Sequence, residues 1–150
     1  MKHGISKKCF IIVFIMFSVL AGEAWSETGI SLNIKTILGS EKPGRVDPKL
    51  KGFVKQHKSV LRYSSYSLLS QDSLKLSKEG TGKVYLPGNR QLKIKSTGIS
   101  KSRATLHLEI LKNKKQIFQT VIQLRNNSSV TIGGPKYKDG DLLFNIFASF

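Results

Sequence analysis

The side chains that could carry chemistry are few and scattered: three His, one Cys and nine Asp+Glu in 150 residues. His107 and Glu109 stand two apart in the run ATLHLEIL, and alternate residues of a strand share a face, so the pair could orient a base or contribute to a metal site. Neither chemistry is complete there. Zinc takes three or four ligands, and a hydrolase needs a nucleophile within reach of its base. The pair therefore reads as a polar pair on a wet face. Asp139 and Asp141 flank Gly140, which signals a hairpin turn and lacks the full loop of oxygen ligands that calcium requires. Most other carboxylates sit at turns or caps, where short acidic side chains bond local backbone. Gly133-Gly134-Pro135 follows a strand and opens no helix, so it forms no phosphate-cradling loop. No catalytic residue, metal ligand set or cofactor is expected, and the chain reads as a non-enzyme.

The basic residues form the stronger signal. There are 25 Lys+Arg and a formal net charge of +16. They recur at 49–62, 75–78, 90–95, 101–103, 112–115 and 136–138. Exposed Lys solubilises a surface and discourages edge-to-edge sheet pairing. It also attracts anionic partners. The candidate contacts are Arg90 and Lys93 in one segment, and Lys112, Lys114 and Lys115 at the hairpin tip of LKNKKQ.

The chain opens like an export signal. Lys2, Lys7 and Lys8 precede an apolar run from Cys9 to Leu20, and small residues follow at Ala21, Gly22, Ala24 and Ser26. The run is shorter than the roughly 20 residues of a spanning helix. Residues 1–26 are expected to be a signal peptide, cleaved after Ala24 or after Ser26. Cys9 falls inside it. The mature chain then has no cysteine, which excludes disulfides, thiolate metal sites and a Cys nucleophile. It also has no transmembrane helix. Export points to the periplasm, with association to the outer membrane open. It removes nucleic acid as a partner and leaves an envelope protein or an anionic envelope component: a lipid headgroup, lipopolysaccharide or an acidic glycan.

The elements that must position these residues follow from periodicity. Residues 29–38 alternate with Ile30, Leu32 and Ile34 on one face, and GSEKPGRV at 39–46 reads as a loop. Residues 27–46 are taken as an N-terminal arm and loop, and 47–150 as a single β-rich domain. Residues 47–61 are the one helix candidate: Asp47 caps, Pro48 fits the first turn, and Leu50, Phe53, Val54, His57 and Leu61 make a stripe. Beyond Tyr63 the period is two. Leu106, Leu108 and Ile110 alternate, as do Phe118, Thr120, Ile122 and Leu124, with turn signals between runs. The expected fold is mainly β: an antiparallel β-sandwich, or a partly open small barrel, with one short N-terminal helix.

Two resemblances add to this. Residues 117–134, IFQTVIQLRNNSSVTIGG, resemble a strand–turn–strand segment near the C-terminus of bacterial secretins, through Thr120, Val130, Ile132, Gly133 and Gly134. The secretin pore domain and its Pro-Leu-Gly segment are missing, so no pore is implied. Val46-Asp47-Pro48, the run from Tyr63 to Leu69, Val84-Tyr85-Leu86-Pro87, Ile132-Gly133-Gly134-Pro135 and Asp139-Gly140 are similar to small exported proteins of Gram-negative bacteria. That resemblance implies an envelope location and supplies no catalytic residue. The expected function is a non-enzymatic periplasmic binding or assembly module of the cell envelope, acting through a basic face or an exposed edge strand. The alternatives are a small outer-membrane β-barrel, prompted by Leu142, Phe144, Ile146, Ala148 and the final Phe150, or an exported hydrolase. Eight spanning strands of about 9–11 residues would consume most of the mature chain and leave too little for the helix.

Overall fold

The computed structural model describes residues 29–150. The expected signal peptide (1–26) and both expected cleavage points lie outside them. Eight strands follow in chain order: β1 (Ile30–Ser40), β2 (Ser65–Leu76), β3 (Thr81–Leu86), β4 (Arg90–Ile99), β5 (Arg103–Lys112), β6 (Lys115–Arg125), β7 (Ser128–Tyr137) and β8 (Gly140–Ser149). They form two four-stranded antiparallel sheets, ordered β2-β1-β8-β7 and β3-β4-β5-β6. Spatial neighbours are sequence neighbours throughout, apart from the β1–β8 pairing. No ladder joins β2 to β3 or β6 to β7, so the sheets remain a sandwich and do not close into a barrel.

Alternation decides which side of each strand is dry. On β5, Ala104, Leu106, Leu108 and Ile110 are buried, while Arg103 and His107 are exposed and Thr105 and Glu109 half-buried. The same rule places Ile30, Leu32, Ile34, Leu92, Ile94, Phe144 and Ile146 between the sheets. Burying apolar area at about 25 cal/mol per Å² makes this layer the main source of stability. Two inward positions break the pattern: Ser96, whose hydroxyl donates to the Lys78 carbonyl at 2.8 Å, and Thr36. Thr36 is fully buried and its hydroxyl has no hydrogen-bond partner. A buried unpaired hydroxyl costs about 1–3 kcal/mol, so Thr36→Val, which keeps the shape, is expected to raise unfolding free energy by about 1 kcal/mol in a urea titration. An unchanged or lower midpoint would mean that the hydroxyl has a partner.

The helix is shorter than expected and elsewhere in the order. A 3-10 turn (Pro48–Leu50) leads into α1 (Lys51–His57), with the Asp47 carboxylate accepting the Lys49 amide at 2.9 Å. It lies between β1 and β2, not at the N-terminal end of the β-rich unit. Leu50 and Phe53 seat it on Ile37, Tyr66 and Leu143, on the outer face of the first sheet. The arm reading of residues 27–46 needs the matching correction. β1 is an interior strand, paired with β2 on one side and β8 on the other. Pro43 and Gly44 lie in the connection between the paired strands β1 and β2. The secretin-like segment does give strand, turn and strand, but β6 and β7 enter different sheets.

Candidate anion-binding face

Charge is divided unequally between the two sheets. The strands of the first carry Lys35, Lys75 and Lys136 against Asp72 and Asp141. The strands of the second carry Lys83, Arg90, Lys93, Lys95, Arg103, Lys112, Lys115 and Arg125 against Glu109 alone. Register then sets like charges opposite one another: Lys83 faces Lys93, Arg90 faces Lys112, Lys112 faces Lys115, and Arg103 faces Arg125. Like charges directly across a ladder destabilise it by a few tenths of a kcal/mol or more. The one compensating pair is Lys93 Nζ to Glu109 Oε2 at 3.4 Å, with both side chains about one-third exposed (35%/34%). Such a half-exposed pair contributes about 0–1 kcal/mol.

The five sequence candidates divide by parity. Lys93 is outward, since its neighbours Leu92 and Ile94 are core. Arg90 has core parity and turns inward. Its Nη2 donates to the Lys136 carbonyl at 2.9 Å, and its guanidinium lies 5.5 Å from the Tyr137 ring centroid. Arg90 thus clasps β4 to the end of β7 across the sandwich and is not a free surface cation. Lys112 and Lys115 flank the β5–β6 turn and are exposed, and Lys114 lies within it. Asn113 and Lys114 both adopt left-handed backbone (φ 51° and 65°), the geometry of a two-residue primed turn.

Sequence reading missed Lys83, Tyr85, Gln91 and Lys95. Each is flanked by core residues at 84, 86, 92 and 94, so alternation alone could have placed them outward. Tyr85 is 81% exposed. It stands opposite Gln91, which stands opposite Leu111. With Lys83, Asn89, Asn113 and Lys114 this row lines an open groove of about 760 Å³ between the β3–β4 and β5–β6 turns.

The other chemically suggestive groups do not assemble a centre. His107 is exposed opposite Lys95 and Val121, while Glu109 is engaged by Lys93. His57 Nδ1 donates to the Phe53 carbonyl (2.8 Å), and its Nε2 lies 3.4 Å from Thr131 Oγ1. Asp139 pairs with Lys42 at 2.9 Å. No group of three or more His, Cys, Asp or Glu suited to a metal occurs among the described residues. No helix among them is long and apolar enough to cross a membrane.

Tyr63 lines a second, separate groove with His57, Leu61 and Asp141 beside α1. Its hydroxyl donates to Asp141 Oδ2 at 3.0 Å, and its ring rests on Gly39, where a Cβ would come within 2.6 Å of Cδ2. Burial, the bond to Asp141 and nearby negative charge push the phenol up to about 12 from 10.0. The raised value favours the neutral phenol in the folded state. Its contribution is complete below pH 10 and is lost as pH climbs through about 12. The stability gap between the wild type and Tyr63→Phe should therefore be constant up to about pH 10 and close toward pH 12, read by denaturant unfolding. A gap that widened over that range would refute the sign.

Comparison with protein-family models, curated proteins and solved structures found no match to this chain.

Proposed function

We propose that this protein is a non-enzymatic binding module exported to the bacterial cell envelope, and that the outer face of its second sheet holds an anionic envelope component. The observation that carries the reading is the outward like-charge pairing on this sheet, Lys83 opposite Lys93 and Arg103 opposite Arg125, with Lys95 beside them. Such pairs lower the stability of the sheet. A ligand bearing several phosphates or carboxylates would turn that repulsion into attraction. Lys114 supports the reading independently. A non-glycine residue in left-handed backbone costs about 1–2 kcal/mol, and Gly is the usual occupant of that turn position. Lys114→Gly is expected to stabilise the fold by about 1 kcal/mol while weakening anion binding. A gain in both properties would show that the cation has no binding role.

The polarity of the two faces favours this module over the outer-membrane barrel. Membrane barrels turn apolar residues outward, whereas here the Leu and Ile positions of β5 point inward and Lys positions of β3 and β4 point outward. The test is fractionation of the native cells with successive salt and detergent washes, together with an intact mass. The reading expects a mass that begins after Ala24 or Ser26, and protein that is in the periplasmic fraction or released by salt. Recovery only by detergent from the outer membrane, or an uncleaved cytoplasmic product, would overturn it.

A further inference from the structure

Resting on that reading, we propose that the groove around Tyr85 is a saccharide subsite, and that the anionic component is an acidic glycan rather than a lipid surface. Three features separate these ligands.

The first is shape. The groove is open, and both of its rims are turns held in left-handed backbone: Gly88 and Asn89 on one side (φ 78° and 55°), Asn113 and Lys114 on the other (φ 51° and 65°). Rims fixed in this way suit a ligand inserted between them, and the volume of about 760 Å³ falls within the usual range for small-ligand sites. A bilayer surface asks instead for a flat or protruding contact.

The second is the lining. Asn89, Gln91 and Asn113 offer amides that both donate and accept, which is the pattern that pairs with sugar hydroxyls. A bare phosphate or polyphosphate has only acceptor oxygens and would leave the amide carbonyls unused.

The third is Tyr85. Its ring is 81% exposed on a strand whose adjacent residues Val84 and Leu86 are buried, so a large apolar area faces water without any packing role. An aromatic ring with a polar tip is a platform for the apolar face of a pyranose, while its hydroxyl stays wet. Lys83 and Lys114 line the same groove and supply cations for carboxylates or phosphates carried by the sugar. Tyr85 makes no contact with the core that its removal would disturb, so it can be changed without unfolding the sheet.

The experiment measures affinity of the purified protein for four probes at one ionic strength: an oligogalacturonate, a polyphosphate of equal charge, a neutral oligosaccharide of equal length, and phosphatidylglycerol vesicles. The oligogalacturonate is expected to bind about tenfold tighter than the polyphosphate, and Tyr85→Ala to remove that advantage while leaving polyphosphate binding unchanged. Tyr85→Phe, which keeps the ring, should retain the preference. Equal affinity for both polyanions with no effect of Tyr85→Ala would overturn the saccharide site and leave the anion-binding reading standing. Tightest binding to the vesicles, lost in Tyr85→Ala, would overturn it in favour of a membrane surface. No binding to any anionic probe would overturn both.

Discussion

Phe144→Ala is expected to cost about 3–5 kcal/mol of folding free energy, the largest effect of any single side chain here. Phe144 is wholly buried on β8, an interior strand, between Thr36 of β1 and Ile132 of β7. Its ring fills space that no neighbour can reach, because β7 carries Gly134 directly beneath it. A Cβ at Gly134 would collide with Phe144 Cε2. Gly134 and Phe144 are thus one fitted unit. Gly134→Ala alone should destabilise by about 1–3 kcal/mol through overpacking. Gly134→Ala combined with Phe144→Leu should cost less than the sum of the two, since the shorter side chain clears the new methyl. Urea unfolding of the four proteins measures the coupling. Strict additivity would mean that the β7 backbone relaxes independently of the ring. Phe147 provides the contrast: it is 40% exposed on the opposite face, and Phe147→Ala should cost far less.

The same parity argument explains what was legible in the sequence. Leu106, Leu108 and Ile110 announce their own face, and so do Leu92 and Ile94. The Lys-Asn-Lys-Lys tip marks its turn, because Asn tolerates left-handed backbone. Asp47 and Pro48 mark the helix start, but its end at His57 is decided by the short span over Ile37 and Leu143. Sheet membership was not legible. The Arg125–Ser128 connection reads as a hairpin, yet β6 and β7 diverge to opposite layers, which only the packing of the whole core fixes. β1 looked like an appendage because its partners, β2 and β8, lie about 40 and 110 residues downstream, and loop length leaves little trace in local sequence. The partner of Arg90 was not legible from residue type. The parity of Arg90 with Leu92 and Ile94 was visible, but the carbonyl it reaches belongs to Lys136, 46 residues away. The candidate face was only half legible for a related reason. Lys83 and Lys93 are ordinary exposed lysines until register sets them opposite each other, and the repulsion that makes them informative is a property of the pair.

Replacing Lys83, Lys93 and Lys95 together by Ala is expected to weaken binding to an acidic polymer about 150-fold at low salt. Each Lys beside an anionic surface contributes about 1 kcal/mol, and 1.4 kcal/mol is tenfold in affinity. Stability should hardly move, because the loss of the Lys93–Glu109 pair is offset by relief of the Lys83–Lys93 repulsion. That combination distinguishes a functional charge cluster from a structural one, in which affinity and stability would fall together. Ionic strength gives an internal control. The Debye length shrinks from about 10 Å at 0.1 M to about 3 Å at 1 M, so the wild type and the triple variant should converge in affinity at high salt. The tip triple Lys112, Lys114 and Lys115→Ala is the paired comparison. Those residues rim the groove or flank its turn instead of lining the sheet face, so their loss should weaken binding less. A tip variant more damaging than the face variant would move the contact surface from the β3–β4 ladder to the hairpin end, and the Lys83–Lys93 pair on that ladder would lose its functional explanation.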